Sequence, residues 1–178
     1  MQRMSGIATY TRSLVQIIQG SKAKLLDTRK TTPNFRLAEK WACKIGGATN
    51  HRYGLFDMIL IKDNHVDFAG GISAALEKAF AYNLLREDKL AIEIEVRNEK
   101  ELDEVLEIGG VQRIMLDNFS PARLRDAIRK IDGRFLTEVS GGITDKTIRA
   151  FAETGVDYIS VGALTHQVKS LDLSLKAI

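Results

Sequence analysis

Residues Lys24 to Pro33 read KLLDTRKTTP, and the fold follows from how this stretch is read. Leu25 and Leu26 form a short apolar run that ends abruptly in Asp27, Thr28, Arg29 and Lys30, and Pro33 keeps the strand from resuming. Such a pattern marks a buried parallel strand whose C-terminal end opens into a polar site. Two adjacent cations at that end suit a doubly anionic ligand. The same layout, an apolar run with a charged or glycine-rich end, recurs five more times. It gives strand candidates at Lys24–Asp27, Met58–Lys62, Ala91–Val96, Arg113–Asp117, Phe135–Val139 and Tyr158–Val161.

Between these runs the apolar spacing is helical. Leu102, Val105 and Leu106 form one stripe, and Leu124, Ala127, Ile128 and Ile131 form another. Asn98 with Glu101 reads as a capping box, Ser120-Pro121 as a cap before a proline, and Gly155 as a C-terminal stop. Near the N-terminus, Ile7, Tyr10 or Thr11, Leu14, Ile17 and Ile18 share a helical face, with Gly20 as its stop and no cap ahead of it. Glu95, Asp117, Val139 and Val161 follow one another at 22-residue intervals, the length of one strand, one helix and two short loops. Six βα units in a row predict a parallel sheet with right-handed crossovers. Polar groups end every strand rather than one switch point, which favours a barrel over a doubly wound sheet. The expected fold is an α/β, TIM-like barrel, incomplete or open, with about six parallel strands in one domain over residues 1–178.

Composition narrows the class. Hydrophobic residues at 44% with 28% charged describe a globular chain, not a disordered one. A net charge of +3 gives no case for nucleic-acid binding. No apolar run reaches the ~20 residues of a membrane span, and the N-terminus lacks a signal-peptide core. Cys43 is the only cysteine and lies in a helical pattern, so a core position and a cytosolic, reducing compartment are expected.

A barrel brings all its strand ends to one mouth. Here they supply Thr28-Arg29-Lys30, Lys62 with Asp63, Asn64 and His65, then Glu95, Asp117-Asn118, Ser140-Gly141-Gly142 and Val161-Gly162-Ala163; His51-Arg52 joins them from the loop before the second strand. The glycine loops follow the last two strands, where barrels commonly bind phosphate through backbone N–H groups. Glu95 and Asp117 end neighbouring strands and suit a hard cation such as Mg²⁺. Each feature also has a plain structural reading. A Gly-Gly pair before a helix is more often a turn. A strand-end carboxylate can simply pair with a lysine. Glu93 and Glu95 share a face and can both point into the barrel. His51 and His65 have no metal-site spacing around them and read as hydrogen-bonding residues. The constellation is harder to explain as structure than any one member.

The stretch LDTRKTTPNFRLAEKWACKIGGATNHRYGLFDMILIKDNH at residues 26–65 closely resembles the quinolinate phosphoribosyltransferases, and MLDNFSP, EVSGGI and ISVGALTH look like the same family's motifs. The resemblance covers nearly the whole chain. It implies an open barrel and the Mg²⁺-dependent condensation of quinolinate with phosphoribosyl pyrophosphate to nicotinate mononucleotide, pyrophosphate and CO₂ in NAD synthesis. By the same resemblance Arg29, Lys30, His51, Arg52 and Lys62, beside Thr28, would hold quinolinate. Glu95 and Asp117 would take the ribose and Mg²⁺-pyrophosphate side, with Lys62, Glu95 and Asp117 nearest the chemistry. Ser140, Gly141, Gly142, Val161, Gly162, Ala163 and His166 would receive the 5′-phosphate. It further implies a homodimer or higher homo-oligomer, and an N-terminal α/β domain that sends an arginine into the partner's pocket, ahead of the matching SGIAT. A non-catalytic phosphate-binding barrel and a related phosphoribosyltransferase with another acceptor, such as the molybdenum-transport-associated relatives, are the rival readings. The intact TRK, HR and Lys62 set favours quinolinate.

Overall fold

The six apolar runs all form strands in the computed structural model, which covers residues 1–178. In chain order the elements are α1 (Gln2–Ile17), β1 (Lys24–Leu26), α2 (Arg36–Ile45), β2 (Ile59–Ile61), α3 (Asp63–Ala69), α4 (Ile72–Leu84) and β3 (Ile92–Val96). After these come α5 (Glu99–Ile108), β4 (Arg113–Asp117), α6 (Pro121–Ile131), β5 (Leu136–Ser140), α7 (Ile148–Ala152), β6 (Tyr158–Ser160) and α8 (Ala163–His166). Every ladder is parallel, and the sheet order is β1-β6-β5-β4-β3-β2. A doubly wound sheet reverses its order at a switch point. This one runs without reversal from β2 to β6 and then meets β1, which is the order of a ring cut between β1 and β2. The barrel is open at that one seam.

An irregular segment occupies the seam. Thr49 forms a parallel bridge to Leu26, its N–H donating to the Leu25 carbonyl at 2.8 Å, and Arg52 Nη1 donates to the Met58 carbonyl at 3.1 Å. The chain from Thr49 to Arg52 therefore reaches from β1 towards β2 without being a strand.

Alternation along each strand separates the two faces of the sheet. Ile92, Ile94, Val96, Ile114, Leu116, Val139 and Ile159 face outward into one apolar core with Leu102 and Val105 of α5 and Leu124, Ala127 and Ile131 of α6. Truncating a fully buried member such as Ile114 to alanine costs about 2–5 kcal/mol. The alternate residues Glu93, Glu95, Arg113, Met115, Asp117, Glu138 and Ser140 face inward. An ordinary barrel fills that space with branched aliphatic side chains; this one places charge there.

Local signals hold with one correction. Ser120 Oγ caps Arg123 N–H, with Pro121 at the first helical position. Asn98 Oδ1 caps Glu101 N–H, but the reciprocal half of the expected box is missing: the Glu101 carboxylate takes the Arg97 N–H at 2.7 Å and the Arg97 guanidinium instead. An arginine beside the cap competes successfully for that carboxylate. On α1, Ile7, Thr11 and Leu14 are buried, no side chain caps the first turn, and Gly20 turns with φ 87°. Cys43 is fully buried in the core, and burial pushes its thiol up to about 12. No helix is long and apolar enough to cross a membrane.

Candidate active site

A cavity of about 570 Å³ opens at the C-terminal end of the sheet and takes residues from all six strand ends. Of the anticipated residues it brings together Thr28, Arg29, Lys30, His51, Arg52, Lys62, Glu95, Asp117, Ser140 and Gly141. A smaller cavity near the other end of the sheet, between Phe80, Leu84 and Leu90, gathers no comparable chemistry.

The cationic wall comes from β1, the seam and β2. The strand alternation that sends Leu26 inward sends Asp27 outward, and there it grips the seam. Fully buried, Asp27 accepts from Lys40 Nζ at 2.5 Å and from the His51 N–H at 2.9 Å through Oδ1, and from Asn50 through Oδ2. Lys40 Nζ also donates to the His51 carbonyl at 3.0 Å. The His51 peptide is thus held at both ends. Burial pushes the Asp27 carboxyl up, against the pull of Lys40 and these hydrogen bonds. Arg52 follows, half-buried; burial and then the nearby Arg29 push its guanidinium down. Two guanidinium groups this near one another converge on a position suited to an anion.

The acidic wall comes from β3 and β4. Glu95 is nearly buried and its carboxyl is raised, first by burial and then by Asp117 and Asp63, with Lys62 opposing. Lys62 Nζ lies 3.5 Å from Glu95 Oε2, so the plain ion-pair reading of this carboxylate is partly correct. Asp117 is fixed by Ser140 Oγ on one oxygen and Asn118 Nδ2 on the other, both at 2.6 Å. Glu95, Asp117 and Asp63 are hard oxygen donors that suit Mg²⁺, but their oxygens do not converge within 4.8 Å, so these residues would hold the ion through water. Each Asp117 oxygen already accepts a hydrogen bond, which favours the water-mediated form.

Glycine is required at one point of this wall. Gly141 has φ 98°, and a Cβ there would meet Asn118 Oδ1 at 2.1 Å. The backbone N–H groups of Gly141, Gly142 and Gly162 donate to no protein acceptor. Gly142, Gly162, Ala163 and His166 lie outside the cavity wall, though Gly162 packs beside the His166 ring and the Lys30 chain. Val161 also lies outside the cavity wall: its side chain belongs to the core, its N–H donates to the Leu26 carbonyl, and its carbonyl accepts from the Leu164 N–H.

Beneath the mouth lies a group of which the sequence reading includes only His51 and Glu93. His51 Nε2 is 3.1 Å from Glu93 Oε2 and 3.5 Å from Glu138 Oε2, close enough to pair but not aligned as a directed hydrogen bond to either. Arg113 Nη1 donates to Glu138 Oε2 at 2.9 Å and stacks its guanidinium 4.2 Å above the Tyr158 ring. In the neutral ring the Arg52 N–H, 2.7 Å from His51 Nδ1, keeps the ring proton on Nε2, facing the carboxylates; protonation of Nδ1 gives up that contact. Burial alone would lower His51, but Glu138 and Glu93 outweigh it and lift the imidazole to about 9. Glu93 rises to about 7 through burial and repulsion from Glu138. Glu138 goes the other way, since the nearby His51 and Arg113 outweigh its burial. These are the only His and acidic groups whose ligating atoms converge within 4.8 Å, yet Arg113 already supplies their cation. They read as a charge-balanced floor, as the hydrogen-bonding role expected of His51 implies. His65 likewise accepts a hydrogen bond, from Lys62 N–H at 3.0 Å. Glu138 carries a signal in retrospect: it alternates onto the face of Ser140 as Glu93 does with Glu95.

The family model described as "Quinolinate phosphoribosyl transferase, C-terminal domain" matches residues 7–176. Nicotinate-nucleotide pyrophosphorylase [carboxylating], chloroplastic, from Oryza sativa subsp. japonica is 48% identical over 192 residues, 99% of this chain and 51% of that protein. The probable nicotinate-nucleotide pyrophosphorylase [carboxylating] of Bacillus subtilis (strain 168) is 45% identical, over 98% of this chain and 59% of its own. Among solved structures, NadC from Streptococcus pyogenes superposes with a TM-score of 0.92 at 42% identity, covering 99% of this chain and 61% of that one. Nicotinate-nucleotide pyrophosphorylase from Francisella tularensis superposes at 0.91 with 47% identity, covering 98% and 60%. The chain spans about half the length of the curated relatives it matches. Over nearly its full length, strand ends and seam included, the chain belongs to the quinolinate phosphoribosyltransferase family and corresponds to the family's C-terminal domain.

Proposed function

We propose that this chain forms the catalytic barrel of a quinolinate phosphoribosyltransferase, making nicotinate mononucleotide, pyrophosphate and CO₂ from quinolinate and phosphoribosyl pyrophosphate. The observation that carries the reading is one mouth with two opposed walls, Arg29, Lys30, Arg52 and Lys62 against Glu95, Asp117 and Asp63. A dicarboxylate and a Mg²⁺-diphosphate need those two environments side by side. The arginines can grip a carboxylate with two parallel N–H bonds, while Lys62 acts as a point charge between the walls.

The proposed reaction needs no protein nucleophile. The quinolinate nitrogen forms a bond to the anomeric carbon as the bond to pyrophosphate breaks, the leaving group taking the electron pair. The C2 carboxylate then leaves as CO₂, its electrons drawn by the positive ring nitrogen, and the ring carbon is protonated. Glu95 and Asp117 would hold Mg²⁺, which would supply neutralisation of charge on the pyrophosphate. Glu95 and Asp117 orient the ribose and face the charge that develops on it, and the free N–H groups of Gly141, Gly142 and Gly162 receive the 5′-phosphate. The other anticipated residues of that loop, Ala163 and His166, flank this position.

The exposed stripe Leu37, Trp41 and Ile45, at four-residue spacing on α2, supports assembly as a homo-oligomer. The single buried thiol suits a reducing, cytoplasmic setting. The test is formation of nicotinate mononucleotide and CO₂ from quinolinate, phosphoribosyl pyrophosphate and Mg²⁺. It is run on residues 1–178 alone and with the relatives' N-terminal half supplied in trans; little turnover alone and clear turnover with the added half is expected. No product in either arm refutes the reading.

A further inference from the structure

A buried carboxylate outside the cavity ties the loop after β1, which lines it, to the segment after β6, which lies beside it. Glu39 of α2 has no exposed surface. Its Oε1 accepts from Arg3 Nε at 2.7 Å and Thr32 Oγ1 at 2.8 Å, and its Oε2 accepts from the Thr32 N–H at 2.9 Å. Arg3, in the first turn of α1, also donates from Nη2 to Thr32 Oγ1 at 3.0 Å and to the Thr165 carbonyl at 2.8 Å. Thr165, itself fully buried in α8, donates from Oγ1 to the Lys30 carbonyl at 2.6 Å. The circuit closes: from Lys30 and Thr32 to Glu39, to Arg3, to Thr165, and back to Lys30. It joins the loop after β1, which carries Arg29 and Lys30, to the loop after β6, which carries Gly162 and His166.

An Arg3–Glu39 pair would also serve simply to pin α1 to the barrel. That role does not account for the rest of the wiring. Ile7, Thr11 and Leu14 already bury α1. Every partner of Arg3 other than Glu39 lies in one of the two loops, and both further bonds of Glu39 go to Thr32. A planar guanidinium that bridges three acceptors fixes their separation, which a lysine ammonium does poorly.

We propose that Arg3 and Glu39 are positioning residues that lock the loop after β1 to the loop after β6, so that a ligand ordering one loop raises the other loop's affinity. The inference rests on the assignment of quinolinate to the first loop and of the 5′-phosphate to the second. Linkage makes the effect reciprocal: each ligand tightens the other by the same factor.

Calorimetry on the protein, with quinolinate and with Mg²⁺-phosphoribosyl pyrophosphate, each alone and in the presence of the other, reads that factor. The wild type should show mutual tightening of about five-fold or more. Glu39→Gln and Arg3→Met should bring the factor close to one. Arg3→Lys keeps the ion pair but not the fork, so it should keep the melting temperature near wild type and still lose the coupling. A folded Arg3→Lys or Glu39→Gln protein with the full factor overturns the proposal, as does a wild type that binds both ligands independently. A wild type that binds neither ligand refutes the functional reading instead. Hydrogen exchange then decides the lock without ligands: Arg3→Met should speed exchange at the Thr32 and His166 amides together, and faster exchange at one loop alone overturns it.

Discussion

Removing the Asp27 carboxylate should loosen the seam, and with it His51 and Arg52 of the cavity wall. Asp27 and Lys40 are buried together, and Lys40 has no other anion among its hydrogen-bond partners. Asp27→Ala leaves an ammonium in the protein interior, which costs about 3–5 kcal/mol. The His51 N–H loses its acceptor as well, adding about 1 kcal/mol, whereas Asn50 is exposed and can turn to water. A loss of about 4–6 kcal/mol is a large share of a domain's typical stability. Burial raises Asp27 above its unfolded value, so its contribution is present below the unfolded pKa and is lost as pH rises through the folded one. The clasp holds the His51 peptide in place.

The double variant Asp27→Leu/Lys40→Met separates those two effects. With both charges gone, urea denaturation should return stability to within about 2 kcal/mol of wild type. Quinolinate affinity should stay impaired, because the His51 peptide has lost its holds on both sides. An Asp27→Ala protein that loses less than about 1 kcal/mol would refute the reasoning, since a desolvated Lys40 could not then be present. So would a double variant no more stable than Asp27→Ala.

Lys62→Ala and Arg52→Ala should each weaken quinolinate by roughly 1.5–3 kcal/mol in calorimetry and leave phosphoribosyl pyrophosphate much less affected; equal weakening of both would make the cationic wall misassigned. Glu95→Gln and Asp117→Asn should each lower turnover, and together lose much less than the sum; additive losses would mean that they share no ligand. His51 is raised from 6.5 to about 9, so its contribution to stability is full below pH 6.5 and vanishes as pH passes about 9, on the order of 3 kcal/mol. Glu138→Gln should shrink that alkaline loss in denaturant titrations, and an unchanged loss would rule out the pairing. Gly141→Ala should cost more than 1 kcal/mol of stability and cut turnover sharply, because both its φ and Asn118 oppose a Cβ.

The strands are legible in the sequence because each apolar run abuts its polar end within a residue or two, even where the strand is three residues long, as at Ile59–Ile61. The mouth is legible for the same reason, since a barrel gathers strand ends wherever they fall. The floor is not. Glu138 stands inside a strand, and only its pairing opposite Met115 and Tyr158 reveals it as a neighbour of Glu93 and His51. Asp27 misleads in the opposite direction: it sits in LDTRK among site residues, yet strand alternation turns it outward to Lys40. Val161 looks like part of a glycine loop, but its N–H and carbonyl are consumed by Leu26 and Leu164. These outcomes depend on which way a residue faces and what its peptide already bonds, which spacing alone does not carry.

The open seam has a chemical consequence that a closed ring could not have. In a strand, consecutive side chains point to opposite faces of the sheet, so only every second residue can reach the barrel interior. His51 and Arg52 are consecutive, and both line the cavity. Regular pairing between β1 and β2 would send one of them outward into the helical layer. Replacing that pairing with an irregular segment, anchored through Thr49 on Leu26 and through Arg52 on Met58, lets both face the mouth. The lost ladder bonds are offset in part by Asp27 and Lys40, which satisfy the His51 peptide from outside the sheet. The clasp is therefore the physical counterpart of the missing strand pairing, and the seam stays open because the cationic wall needs two adjacent residues on one face.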